Sequence, residues 1–325
     1  MELINKEQVL LKNMVSAIIN DDFKFKDIQT AYWSVEPSDE PSLEILVAML
    51  KIKEFVENNI HVTILLADVH AFLNNPLEEN QIDDRINYYK FIISTVLSHF
   101  NVDQTMYTFV KGSDTQLDKR YIIDLFKFMN IITVSNAMNT SKNIPNHQKN
   151  IHISKVIYPL MQVLDETVID ADIQLVCENQ KKIIQLSLDH ISKIGYNTSN
   201  YLMYGHIPHM QKYMSKKSAL LKNDKIYLTD SFDDIKYKIM EIKCSVKTMM
   251  LISDNPCLAI AKHVCYPWGY TVSNYQSYAD MIDAMIKEHL SVDEFKTHLI
   301  DAIEKIISQF RNTIVLNKEL WNMVS

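Results

Sequence analysis

The sequence predicts an α/β fold, a Rossmann-like doubly wound parallel sheet, followed by a helical C-terminal domain. Two observations carry this. Strand-like and helix-like patterns alternate with short connections through the first two thirds of the chain, which is how parallel sheets covered by helices are built. Beyond about Lys225 the strand patterns stop and only helical spacing remains.

Each element has its own signal. Residues 6 to 20 carry Val9, Leu10, Met14, Val15, Ile18 and Ile19 at helical spacing, so an N-terminal amphipathic helix is expected. Ile28 to Val35 reads as the first strand, closed by the polar turn Glu36-Pro37-Ser38-Asp39-Glu40. Pro41 then opens a helix, since its fixed φ suits a first helical position, and Leu43, Leu46, Val47, Leu50, Phe55 and Val56 give that helix a stripe to pack on a sheet. His61 to Ala67 is an unbroken apolar run of the kind buried on both faces, with Asp68 capping the next helical stretch. Residues 82–100 and 114–132 are helical around a strand at Tyr107 to Lys111; Val156 to Thr167 and Gln180 to Ile194 are helical around the short segment 169–176. Between Ser135 and Asn150 the chain turns polar, which predicts a loop or insertion. Residues 230–242, 255–264, 277–290 and 291–310 complete the helices, the last opened by a Ser291/Glu294 capping box.

Composition narrows the function. The chain has 325 residues, 47% hydrophobic and 22% charged, with a formal charge of -7. Nucleic-acid contact therefore needs a local basic patch, and DNA is not an expected partner. No run approaches the roughly 18 apolar residues of a membrane span. Four Cys without a CxxC pair, and no basic-then-apolar leader, suggest a cytoplasmic setting. Only four glycines occur, where ordinary usage would give roughly 23. Phosphate-cradling loops need residues without Cβ, and neither GxGxxG nor GxxxxGK[ST] is present. His206 and His209 are spaced HxxH around Pro208 without a Cys, Asp or Glu at ligand spacing, so no metal is expected.

Tyr158, Gln162 and Asp165 stand at i, i+4 and i+7 among apolar neighbours, one polar stripe on a greasy helix. Such a stripe faces either solvent or a pocket, because burying it unpaired would be costly. With Ala31-Tyr32-Trp33, His61 to Asn75, Phe109 to Leu117, Tyr158 to Glu166, Asp172 to Gln174, Gln180 to Ile183 and Lys225 to Cys244 in matching order and spacing, the chain resembles the eukaryotic and archaeal type of tyrosyl-tRNA synthetase, a class I aminoacyl-tRNA ligase.

The resemblance implies a class I synthetase catalytic fold over residues 1–224, with a dimer and acceptor-stem insertion at about 114–155, and an anticodon-binding-like helical domain over 225–325. It implies a tyrosine pocket of Tyr32, Tyr158, Gln162, Asp165 and Gln174, all present. A phenol and a carboxylate suit a phenolic hydroxyl; amides and a tyrosine hydroxyl suit an ammonium and a carboxylate. The ATP side departs from the pattern. At the HIGH-type motif stand Ser42, Leu43, Glu44 and Ile45, and preceding glycines are replaced by Ser34 and Asp39. A later glycine pair and ribose-binding Asp correspond to Val176, Cys177 and Asn179, and Glu36, Asp39, Glu40 and Glu44 crowd a site that should attract anions. The KMSKS loop corresponds to residues 212–218, with Tyr213 at the first Lys position and Lys216 retained.

Two functional expectations follow. The first is a catalytically degenerate homologue that keeps tyrosine binding, has no ATP activation, no catalytic residues and no cofactor, and acts as a binding or regulatory protein. The second is an active, divergent tyrosine-tRNA ligase that uses ATP and forms tyrosyl-adenylate and tyrosyl-tRNA. Expected partners are L-tyrosine, tRNA and a second subunit, as a homodimer or a heterodimer with a related synthetase.

Overall fold

A computed structural model describes residues 5–74, 79–140, 151–214, 225–243 and 255–317. Six strands form one sheet: β1 (Met14–Ile18), β2 (Thr30–Val35), β3 (His61–Leu66), β4 (Tyr107–Lys111), β5 (Ile173–Cys177) and β6 (Tyr201–Tyr204), in the order β1-β6-β5-β2-β3-β4. All neighbours are parallel except β1, which runs antiparallel along the β6 edge. The doubly wound sheet is as the sequence predicts. Two strands are not. The N-terminal helix α1 (Lys6–Leu11) ends early, Asn13 takes a left-handed conformation, and the residues after it alternate in burial as β1. β6 is four residues long, too short for its period to show.

Helix α2 (Ile45–Glu57) packs under the sheet, with Leu46, Ala48, Met49, Ile52 and Phe55 fully buried. Then come α3 (Asp68–Asn74), α4 (Glu79–His99), α5 (Gly112–Gln116), α6 (Lys119–Met129) and α7 (Val134–Thr140). The stretch predicted as one helix over 114–132 is two, because Asp118 turns out of α5 and its side chain accepts the Arg120 N–H to cap α6. The polar segment starting at Ser135 is helical as far as Thr140; residues 141–150 lie outside the described residues. Helices α8 (Ser154–Ile169) and α9 (Lys181–His190) cover the face of the sheet opposite α2.

The remaining helices among the described residues are α10 (Phe232–Glu241), α11 (Pro256–Ile260), α12 (Tyr278–Ile286) and α13 (Val292–Val315), α11 running on as a π-helical turn over Ala261–Cys265. Both halves of the Ser291/Glu294 capping box are made. One buried apolar cluster runs from Leu10 through β2, β3 and α2 to Phe310 and Ile314 of α13, joining the sheet to these helices.

The scarcity of glycine has a visible consequence. Asn59 and Asn101, just past the ends of α2 and α4, have φ of 57° and 56°, and Asp170 closes α8 at φ 50°. Short polar side chains that can bond locally thus take the left-handed role that glycine fills elsewhere.

Candidate functional site

In an open α/β sheet the ligand crevice lies at the carboxyl ends of the strands where the winding reverses, here between β2 and β5. Tyr32 of β2 and Gln174 of β5 are register partners across that junction. Because alternate side chains leave a strand on opposite faces, Tyr32, Ser34, Gln174 and Val176 turn toward α8 and α9, whereas Trp33, Leu175 and Cys177 turn toward α2. The crevice therefore has two sides.

On the α8 side, Tyr158, Gln162 and Asp165 share a helix face, Gln162 and Asp165 buried, so the polar stripe faces the protein and not solvent. The Asp165 carboxylate accepts from Gln116 Nε2 at 2.9 and 2.8 Å, from Tyr121 Oη at 2.8 Å, and pairs with His70 Nε2 at 2.8 Å. Burial pushes its pKa up to about 7 against these hydrogen bonds, and burial lowers His70 to about 4, so the imidazole is neutral near neutral pH. The Tyr32 phenol is raised far above its usual range, first by burial and then by the nearby Asp165 charge, and it is hydrogen-bonded to Ser34. Next along the helix, burial raises Glu166 to about 8; Tyr201 Oη donates to it at 2.9 Å.

At the pocket's other end, Tyr158 Oη donates to Glu36 Oε2 at 2.7 Å, and Asn74 Nδ2 lies 2.8 Å from both Glu36 oxygens. Lys155 Nζ donates to Asn74 Oδ1 at 2.5 Å. Gln174 Nε2 donates to the Glu166 carbonyl at 3.0 Å, while its Oε1, Gln116 Oε1 and His70 Nδ1 are buried with no hydrogen-bond partner among the described residues. Buried polar atoms are rarely left so, and three around one set of groups point to a missing ligand or water.

On the α2 side, Glu44 Oε1 lies 2.8 Å from His206 Nδ1 and 3.6 Å from Cys177 Sγ, and Asn179 Nδ2 lies 3.4 Å from the same imidazole nitrogen. Glu44 is held below the usual carboxylate range by its His206 contacts, although burial, the largest single effect, acts in the opposite sense. Between Ser42, Glu44, Ile207 and Met210 the remaining cavity is about 20 Å³. That is room for about one water.

Several expectations change here. Val176 does not enter the α2 side; it packs with Ile184, Tyr201 and Met203, and Ser34 serves Tyr32. Asp39 points outward to Lys225 at 3.3 Å, Glu40 bonds Thr229, and Glu36 bonds Tyr158, so the four carboxylates have partners inside the protein and are not a bare anionic wall. Ile45 is buried at the start of α2. Tyr213 is half-buried, and Lys216 lies outside the described residues. His70 is buried and pairs with Asp165; Asp68 accepts the Ser113 N–H instead of capping its own helix. His206, expected to be remote from other ligands, meets Glu44 and Cys177. Gln116 and Tyr121 were not singled out, although Gln116 stands in the Phe109–Leu117 stretch that carries the resemblance.

A cavity of about 1040 Å³ lies at the loops entering β2, β5 and β6, is rich in carboxylates such as Asp22, Asp114 and Asp172, and reaches Tyr121 and Glu166.

A family model described as tRNA synthetases class I (W and Y) matches residues 26–308. The cytoplasmic tyrosine–tRNA ligase of Saccharomyces cerevisiae is 31% identical over 311 residues, 89% of this chain and 77% of that one. The probable cytoplasmic tyrosine–tRNA ligase of Vairimorpha ceranae is 29% identical, covering 98% and 96%. Among solved structures, the Archaeoglobus fulgidus tyrosyl-tRNA synthetase complexed with L-tyrosine superposes with a TM-score of 0.79 at 23% identity, covering 97% of this chain and all of that one. The Aeropyrum pernix enzyme gives 0.81 at 22%, over 98% and 97%. At such identities the structural likeness shows the fold.

Proposed function

The chain belongs to the class I tRNA synthetases of the tyrosine and tryptophan type, on the tyrosyl side, and from that premise we propose that it binds L-tyrosine but does not activate it with ATP. The tyrosine end of this reading is supported by the buried polar groups gathered around Asp165 and Tyr158. Glu36 and Tyr158 Oη present anionic and hydroxyl acceptors to an ammonium, and the free Gln174 Oε1 adds a third. At the far end, the Gln116 amide serves both Asp165 oxygens from one nitrogen, so it is the contact that can yield to a ligand phenol beside Tyr32.

One observation carries the ATP half: the cavity lined by Ser42, Glu44, Ile207 and Met210, beside the HIGH-equivalent residues, is about 20 Å³, whereas small-molecule sites run to about 300 Å³ or more. Both imidazoles of the motif are replaced, by Ser42 and Ile45, so the donors that would meet a leaving pyrophosphate are missing. The residues present do not fit a nucleotide. The protein then acts by binding, as a tyrosine-responsive or tRNA-associated partner of a related synthetase. Subunit pairing is supported by exposed apolar side chains on and around α6: Leu117, Ile123, Phe126, Met129, Val134 and Ile153. A cytoplasmic setting is supported by the relatives, which are named as cytoplasmic ligases; among the described residues no helix is long and apolar enough to cross a membrane.

The rival reading, an active divergent ligase, is favoured by the activity named for the relatives at about 30% identity. Calorimetric titration separates the two. The proposal expects saturable heat with tyrosine and none with ATP, alone or after tyrosine. Saturable ATP binding overturns it.

A further inference from the structure

The three side chains that close the α2 side of the crevice have a chemistry of their own. Glu44 comes from the start of α2, Cys177 from the last position of β5, and His206 from the loop leaving β6. Their Oε1, Sγ and Nδ1 atoms all lie within 4.8 Å of one another, with Glu44 Oε1 2.8 Å from Nδ1 and 3.6 Å from Sγ. We propose that Glu44, Cys177 and His206 form a binding site for a zinc-like divalent cation, with one coordination position left open.

The geometry fits with small adjustments. Tetrahedral zinc with bonds of about 2.0–2.3 Å sets its ligand atoms about 3.3–3.6 Å apart, so the close oxygen–nitrogen pair opens by about half an ångström and the longest separation shrinks by about one. One sulfur, one nitrogen and one oxygen are a donor set of borderline softness that suits zinc over magnesium or calcium, which take oxygen shells. Three protein ligands with a vacant fourth position is the pattern of zinc sites that bind water or substrate.

The surroundings hold the ligands in place. Glu178 Oε1 accepts the His206 N–H at 3.2 Å, and the Ile207 N–H reaches Glu44 Oε1 at 3.4 Å, which fixes the loop carrying the imidazole. Beneath that loop the His263 ring lies against Gly205, where a Cβ would come within 2.1 Å of it. Such outer contacts are what orient ligands at metal sites. An entry path exists, because the Glu44 and His206 side chains are 28% and 26% exposed while Cys177 is buried behind them. Binding converts the Cys177 thiol to thiolate, and its proton leaves to solvent. This inference goes beyond the tyrosine reading and does not depend on it.

The test uses the full chain, freed of metal by a chelator and then titrated with Co²⁺ and with Zn²⁺ alone. The expected result is one equivalent of Co²⁺ giving a near-ultraviolet sulfur-to-cobalt charge-transfer band, erased by one equivalent of Zn²⁺, and a higher melting temperature with Zn²⁺. Cys177→Ser abolishes the band, and Glu44→Gln weakens the ion by at least about 100-fold, since even outer-shell changes cost 10–100-fold. His206→Ala, a change on the rim, keeps the fold by circular dichroism and loses the ion to a similar degree. No sulfur-to-cobalt band in the parent chain, a band surviving in Cys177→Ser, or undiminished affinity in folded His206→Ala each overturns the site.

Discussion

Replacing Asp165 by Asn gives the sharpest energetic test of the pocket, because the carboxylate is 4% exposed and none of the groups it bonds is a cation near neutral pH: an amide, a phenol and a neutral imidazole. Burial moves its pKa from 3.8 to about 7. In the unfolded chain the proton leaves near pH 4; in the folded protein it stays until about pH 7, so over that window the folded state holds more protons and stability falls as pH rises. A shift of about 3 units at 1.36 kcal/mol each makes the loss on the order of 4 kcal/mol, present in full above about pH 7 and absent below about pH 4. Asparagine does not titrate. It also presents an NH₂ where a carboxylate oxygen met the Gln116 amide, a cost of about 1–3 kcal/mol that does not vary with pH. The measurable quantity is therefore a difference of differences. In urea titrations at pH 5 and pH 8, Asp165→Asn should lose less stability on going to pH 8 than the parent does, by a few kcal/mol. Parallel pH profiles for the two proteins would refute the reasoning, since they would mean that Asp165 is ionised at both pH values or solvated in a way its four contacts do not allow.

Other expectations follow from the same geometry. Tyr32→Phe removes a buried hydroxyl from the pocket and should weaken tyrosine by about 10-fold, the worth of one hydrogen bond, with little change in melting temperature; unchanged affinity by calorimetry would place the ligand elsewhere. Gly205→Ala drives a Cβ to within 2.4 Å of three His263 ring atoms and should cost about 1–3 kcal/mol in denaturant unfolding, a neutral effect showing that the ring moves freely. Ser291→Ala removes the hydroxyl half of the α13 cap, leaving the backbone N–H of residue 291 to donate to Glu294, and should cost about 1 kcal/mol by the same method, with tyrosine affinity unaltered; a cost near zero would mean that the start of α13 is frayed.

How far the sequence reaches depends on the range of each interaction. The β4 strand at Tyr107–Lys111, the helix that presents Tyr158, Gln162 and Asp165, and the Ser291 cap are written in local period and spacing, and the structure has them there. β1 is hidden because the apolar spacing of Val9 and Leu10 continues through Met14 to Ile18 as a helix would, across the left-handed Asn13 that breaks it, and because a strand on the sheet edge is fixed by pairing with β6 nearly 190 residues away. The polar shell of Asp165 lies 44 to 95 residues off in sequence, and His206 meets Glu44 across 162. No periodicity carries such contacts; only the closing of the sheet brings them together. Strand alternation, applied to β5, would have sent Val176 and Cys177 to opposite faces, and that signal was available in the sequence.

The claim on which the account turns is that a tyrosine pocket survives beside a crevice that no longer admits a nucleotide. Tyrosine-dependent exchange of pyrophosphate into ATP measures it most directly, because exchange needs both halves of the site at once. On a preparation shown to bind tyrosine, the account predicts exchange at the level of the no-enzyme background. Exchange that rises and saturates with tyrosine would contradict it.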